Sequence, residues 1–366
     1  MAQIQGAVVG MNILFRYVAR EVLTASSMAL FALTALFTFF EFISELADAH
    51  SATYTPWVAT LFVAMNVPGR LTELMPLAVL IGGLLAWNRL SLASEFSVMR
   101  TAGLSTPRLA SWMLILGLLI GAVALLFSEY VTPYAERAAQ QLKVRSTSGI
   151  VAQEFPTGLW AKDGRTFINI RELHPDAKLV DVRQYEFDAG FNLKLMRRAE
   201  SASWHDGQWT LRQVTQTSIS GGGTRTRQQP DQSWTSAVTP DLLAVLMIKP
   251  ERMAITALYA YIQHLDENLQ DSKRYRIALW SKLAYPMAAP VMLILALVFA
   301  FNPPRHGGTG GRLLAGIVLG LVFHLSSRLA GQVAFLQNWS APIPAFMPVL
   351  VFGCAAMAAL WWVERR

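Results

Sequence analysis

The chain has a single cysteine in 366 residues, Cys354, and it lies inside an apolar run. No internal disulfide is possible, so any domain outside that run must rest on its own core. Charge is scarce: Asp, Glu, Lys and Arg make up 15% of the chain, against about 25% in soluble domains. The six histidines, at positions 50, 174, 205, 264, 306 and 324, share no ligand spacing, and none lies near the cysteine in sequence. Neither a metal centre nor a Cys-His nucleophile is expected, and no residue is assigned as catalytic. A nucleotide loop is missing too. Gly307-Gly-Thr-Gly-Gly-Arg312 is rich in glycine but lacks the Lys-Ser/Thr ending and has no strand before it, so it reads as a turn. A chain without such a loop binds no ATP or Mg itself and, if it works as a transporter, draws energy from a separate subunit.

What the chain has in abundance is apolar length. Hydrophobic residues reach 53% and mean hydropathy is +0.35. Six runs, Val22 to Ile43, Trp57 to Trp87, Leu109 to Thr132, Ile277 to Phe301, Leu313 to Phe335 and Ile343 to Val363, each suffice for a hydrocarbon core that needs about 20 helical residues. The net charge of +7 could suggest nucleic acid, but its placement argues against that partner. Arg16, Arg20, Arg89, Arg100, Arg108, Arg305, Arg312, Arg365 and Arg366 all flank the spans on one side, whereas residues 44–56 and 337–342 on the other side hold no Lys or Arg. The positive-inside rule then puts both termini in the cytoplasm and the central segment across the membrane. No basic n-region or small-residue cleavage site marks a signal peptide, so span 1 is expected to stay. Met11-Asn-Ile-Leu-Phe-Arg-Tyr resembles a conventional start, which leaves residues 1–10 as an extension or a misplaced start codon.

These signals divide the chain into residues 1–132 with three spans, residues 133–272 as an exported domain, and residues 273–366 with three more spans. The middle part changes period to that of strands. Asp163-Gly164, Asp188-Ala-Gly190 and Asp206-Gly207 each separate short apolar or aromatic runs, as hairpin turns do. Five or more such strands suggest a sandwich or jelly roll, with an amphipathic helix from Ala254 to Leu269 leading into span 4.

Between spans 2 and 3, Leu92, Phe96 and Met99 recur at helical spacing ahead of Gly103, a candidate left-handed stop. Residues 91–101 read either as an interfacial helix, with Arg89 and Arg100 toward anionic lipid, or as a coupling helix docking on an ATPase through Leu92, Phe96, Met99, Arg100 and the charge of Glu95. Charges inside spans are costly and point to a cavity or a partner. Arg70 and Glu73, one turn apart, can pair with each other, and Arg328 can snorkel to the interface. Lys282 has no acid at i±3 or i±4 and is the stronger ligand candidate. Arg137, Lys143 and Arg145 follow span 3, either as a solvated face or as phosphate contacts. Small residues favour helix pairing in lipid, so Ala25, Ala29 and Ala32 in span 1 and the Gly316/Gly320 pair in span 5 are expected at a packing face.

Ser94-Glu-Phe-Ser-Val-Met-Arg-Thr-Ala-Gly103, Gly158-Leu-Trp-Ala-Lys-Asp-Gly164 and Tyr275-Arg-Ile-Ala-Leu-Trp-Ser-Lys282 resemble the LptF/LptG permeases of the lipopolysaccharide export system, over essentially the whole chain after Met11. The resemblance implies a polytopic α-helical membrane protein with six transmembrane helices and an inserted periplasmic β-jellyroll domain, acting as half of a transporter in the bacterial inner membrane. It implies pairing with an LptF-like subunit around a cavity for lipopolysaccharide and an LptB-like ATPase dimer, which holds ATP and Mg. It further implies LptC, through its membrane helix and periplasmic domain, and a bridge continued by LptA. On that view Arg70, Arg137, Lys143, Arg145 and Lys282 meet the lipid's phosphates, and the small-residue faces of spans 1 and 5 form lateral gates. One departure stands out, since family members carry a lysine where this chain has Glu41, followed by Glu45 and Asp48. Two other classes fit less well. A lipoprotein-releasing or efflux permease usually has four spans, and a non-transporting envelope scaffold leaves a charge such as Lys282 unexplained.

Overall fold

The computed structural model describes residues 2–48, 54–146, 158–173, 178–205, 207–220, 223–236, 238–240, 243, 250–301, 309–337 and 339–365. The helices are α1 (Ala2–Asp48), α2 (Pro56–Leu92), α3 (Glu95–Thr101), α4 (Thr106–Tyr130), α5 (Thr132–Ser146), α6 (Ile255–Glu267), α7 (Lys273–Ala284), α8 (Ala288–Ala300), α9 (Thr309–Leu336) and α10 (Pro342–Glu364). They supply six helical segments long and apolar enough to span a membrane: Ile13–Ala47, Pro56–Leu92, Thr106–Lys143, Lys273–Ala300, Leu313–Leu336 and Pro342–Glu364.

Local chemistry sets several boundaries. Thr55 caps α2, its hydroxyl accepting from the Val58 amide at 3.4 Å, and Pro56 follows at the first position, where a missing N–H costs nothing. Ser94 adopts φ 60°, so the expected amphipathic helix over 91–101 is split: Leu92 ends α2, and α3 begins only at Glu95. Gly103, at φ 94°, is the left-handed stop after α3. Span 4 is broken as well, since a 3-10 turn at Tyr285–Met287 around Pro286 separates α7 from α8.

Spans 2 and 4 form the centre, with 67% and 61% of their apolar windows buried, while spans 1 and 5 show 22% each and lie at the flanks. The central core joins Leu80, Leu84 and Trp87 of α2, Leu109 and Met113 of α4, and Met292, Leu293 and Leu297 of α8. Apolar helices gain little from hydrophobic drive in lipid, so close backbone approach supplies the packing. Gly82 lets α1 run directly over α2, because a Cβ there would overlap the Ser26 backbone, and Gly117 and Gly121 seat α4 against Pro290 and Pro286.

The middle of the chain builds β1 (Leu159–Asp163), β2 (Thr166–Leu173), β3 (Lys178–Phe187), β4 (Leu193–His205), β5 (Gln208–Ser220) and β6 (Gly223–Trp234), an antiparallel sheet in sequence order. Both strand pairs flanking Asp163-Gly164 and Asp206-Gly207 are hairpins in register, with Asp163 opposite Thr166 and Trp204 opposite Trp209. The sandwich or jelly roll suggested by strand spacing is, among the described residues, one meander with no crossing connection. Spacing counts strands but does not distinguish one connectivity from another. Its buried face carries Leu159, Ile168, Ile170, Leu179, Val182, Trp209 and Leu211. A line of irregular pairing crosses this sheet, since the ladders skip Asp181, Glu200 and Gln213, and Asp181 and Gln213 have φ near 50°. Burial of both Leu179 and Val182 shows that the alternation changes parity there, which creases the sheet.

Candidate functional site

At the end of the bundle nearest the sheet, several charged residues of the spans meet partners from other elements. Arg70 on α2 does not pair with Glu73; its guanidinium reaches Glu41 of α1 at 2.9 Å. Glu73 instead meets Arg328 of α9 and Arg252, the latter at 3.7 Å, with His324 at 3.9 Å. Arg328 is therefore held by an acid rather than merely snorkelling. Lys143 of α5 binds Glu45 of α1 at 2.9 Å and lies 4.7 Å from the centre of the Phe62 ring, while Tyr54 donates to the same carboxylate at 2.7 Å. Glu41 and Glu45 thus neutralise two of the cations expected to meet phosphate. Arg137 is exposed on α5 and enters no ion pair among the described residues. The side chain of Arg145 lies outside the described residues.

Lys282 was expected to be unpaired, and the fold overturns this. The residue is 6% exposed, and its ammonium donates to Glu129 Oε2 at 3.3 Å, to the Ser128 carbonyl at 3.2 Å and to the Met253 carbonyl. All three donors are used, which leaves none for a ligand. The partner was invisible locally because it lies 153 residues away. Glu129 also accepts from the Ile255 amide with both oxygens at 2.9 Å, at the start of α6. Sequence reasoning passed over Glu129, Glu136 and Arg252. Glu136 is 4% exposed and pairs with Arg252 at 2.9 Å. Two acids seven residues apart at the end of span 3 were the available signal, because intramembrane charge calls for a partner.

At the opposite end, Phe96 and Met99 of α3 face inward. Phe96 is 7% exposed and packs edge-on against Trp87 and Phe301, with centroids 5.8 and 5.1 Å apart; Met99 is 5% exposed in the same core. They anchor α3 to its own bundle rather than projecting toward another protein, because Ser94 rotates the helix relative to α2. Arg100 lies over the Phe301 ring and donates to Thr106 at 2.6 Å, and Glu95 accepts from Tyr17 at 2.7 Å. Leu92 and Val98 point outward, 65% and 64% exposed. Beside them Glu21, Ala25, Met28, Leu85, Arg89 and Leu92 line an open groove of about 570 Å³ between α1 and α2.

The expected small-residue faces turn inward as well. A Cβ on Gly316 or Gly320 would overlap Leu84 or Leu77 of α2, so this pair joins α9 to α2 within the chain. Ala29 is buried against Ala78 and Ile81, Ala25 is partly buried, and Ala32 is exposed. The outward faces of α1 and α9 are instead large and apolar: Met28, Phe31 and Phe40 on α1, and Leu314, Leu321 and Leu329 on α9, are at least half exposed.

A β-sheet set beside six spans, with paired charges where they meet, defines a polytopic helical membrane protein carrying an extramembrane domain. The family model of the lipopolysaccharide export system permease LptF/LptG matches residues 16–363, and the chain belongs to that family. The lipopolysaccharide export system permease protein LptG of Haemophilus influenzae is 30% identical over 357 residues, covering 97% of this chain and 99% of that protein. Its counterpart in Escherichia coli K12 is 28% identical over 358 residues, with the same coverage.

Proposed function

We propose that the chain is the G-type permease subunit of a lipopolysaccharide exporter in the inner membrane, with both termini cytoplasmic and the sheet in the periplasm. Supporting this are the end-to-end match to the LptG relatives and, in the structure, the uncovered apolar faces of α1 and α9. Such a face is suited to lipid or to a second permease. An LptF-like subunit closes the cavity across these two spans, LptC inserts its membrane helix beside α1, and its periplasmic domain meets the sheet, which curls along the Asp181 crease toward a jellyroll shape. LptA continues that bridge.

Within this reading, Arg137 is, among the candidates whose side chains are described, the cation left free for lipid phosphates. Arg70 and Lys143 reach a phosphate only by exchanging Glu41 and Glu45 for it. The LptB-like ATPase docks on the outward side of the α2–α3 corner, through Val98 and Leu92, while Phe96 and Met99 brace the corner from inside.

Copurification in mild detergent, followed by transfer of lipopolysaccharide from proteoliposomes to a periplasmic acceptor, tests the proposal. The expected result is a complex with a second permease and an ATPase, and ATP-dependent lipid release. A chain that purifies without an ATPase would refute it. Val98→Asp should detach the ATPase from a folded permease, whereas Phe96→Ala should destabilise the permease itself.

A further inference from the structure

The Gly158–Gly164 segment and Lys282 remain without a role in lipid contact, yet the structure joins them through one element. Helix α6 packs along α7 through Leu258, Tyr261 and Leu265 against Ala278 and Tyr275, with Tyr261 and Tyr275 ring centres 4.6 Å apart. The turn between them is closed by Asp266, which accepts from Ser272 and Arg276 at 2.6 Å each. The two helices therefore form one stiff body.

Both ends of that body are held. At its start, the Glu129 carboxylate receives the Ile255 amide and the Lys282 ammonium, which also holds the Met253 carbonyl. This fixes α6 and α7 to the end of α4. At the far end, Asn268 engages the first hairpin of the sheet: its carbonyl accepts from Lys162 at 2.7 Å and its side-chain oxygen from the Gly164 amide at 2.8 Å. Gly164 sits at φ 57°, the turn geometry that presents its amide outward. Thirteen helical residues separate the two ends, about 20 Å at 1.5 Å per residue. Below this body the spanning helix is interrupted at Tyr285–Met287, a natural place for it to pivot.

We infer that α6 and α7 form a lever that carries motion of the spanning helices to the β-sheet, engaged by Glu129 and Lys282 at one end and by Asn268, Lys162 and Gly164 at the other. The inference deepens the export reading and rests on it for its cycle: ATP-driven movement of the bundle tilts the lever, and the hairpin moves with it. Lys282, Glu129, Asn268 and Lys162 are positioning residues with no lipid contact.

The test uses the complete complex in lipid nanodiscs, comparing wild type with Lys162→Ala/Asn268→Ala. Hydrogen exchange across residues 159–173 is followed with and without ATP, alongside ATP turnover and lipopolysaccharide delivered per ATP. In wild type, ATP should change exchange in the hairpin. The variant should lose that change and deliver about tenfold less lipid per ATP, the scale of two hydrogen bonds removed together, with ATP turnover within about twofold of wild type. Lys162→Arg, which keeps a cationic donor to the Asn268 carbonyl, should retain the ATP response. A hairpin indifferent to ATP in wild type, or an ATP response that survives in the variant, would overturn the lever. So would an equal fall of turnover and delivery, which marks mere loss of stability. If wild type hydrolyses ATP but delivers no lipopolysaccharide, the export reading fails, and the hairpin response still decides the lever separately.

Discussion

Replacing Arg252 with Gln isolates the most enclosed ion pair at the junction of bundle and sheet. Arg252 donates to both oxygens of Glu136, at 3.2 and 2.9 Å, and lies 3.7 Å from Glu73. Glu136 is 4% exposed and has no other ion pair among the described residues, whereas Glu73 keeps Arg328. The substitution therefore strands one buried carboxylate. Removing one partner of such a pair costs about 3–5 kcal/mol, much of it the desolvation of the charge left behind. Glu136→Gln strands no buried anion, and its Arg252 still faces Glu73, so its cost should be about 1 kcal/mol. In the double variant two amides face each other without net charge, and at least half of the Arg252→Gln loss should return, which with the Glu136→Gln cost makes a coupling of about 3 kcal/mol. Reversible unfolding in mixed micelles, followed by far-ultraviolet circular dichroism, measures all three variants. If the double variant loses the sum of the two single costs, or if Arg252→Gln lies within about 0.5 kcal/mol of wild type, the pair is not the closed electrostatic contact described here.

Three further outcomes are expected. Gly316→Leu/Gly320→Leu should destabilise the isolated chain by about 1–3 kcal/mol through overpacking against Leu84 and Leu77; an unchanged chain that fails only to pair with its partner would return the motif to an intermolecular gate. Gly158→Ala should cost about 1–3 kcal/mol, because Gly158 holds φ 81° and a Cβ would come within 2.9 Å of the Asn169 side chain and the Ile170 carbonyl; exchange protection across β1 and β2 reports it, and unchanged protection would count against the strain. Burial raises the Asp181 carboxyl's pKa, but hydrogen bonds from Arg183 and Arg198 outweigh it and hold it below its ordinary value. Its contribution is therefore complete above the unfolded value of about 3.9 and is lost as pH falls through the lower folded value. Asp181→Asn should remove that acid loss, and amide protection of β3 and β4 between neutral and acidic pH would reveal it.

Much of the molecule was legible because apolar length and hairpin chemistry are local. A bilayer asks for about 20 apolar residues wherever they occur, so the six spans and the inserted strands could be read from runs and turn residues alone. Asp163-Gly164 carried its turn with it, and Gly103 its stop. The segments of family resemblance were equally plain, although their roles were not: Gly158 to Gly164 is a docking hairpin, and Lys282 closes a buried junction.

What only the tertiary structure decided was where each side chain points and which charge meets which. Ser94 at φ 60° turns Phe96 and Met99 into their own core, a single backbone choice that periodicity does not encode. Arg70 prefers Glu41 to its neighbour Glu73, and Lys282 finds Glu129, because long-range packing sets those distances while i±3 and i±4 spacing describes only one helix. The Gly316/Gly320 face was visible as a packing surface, but its partner was not, since a small-residue stripe accepts any helix that approaches closely. In lipid that choice rests on shape and on the few polar pairs, and both exist only once the spans have assembled.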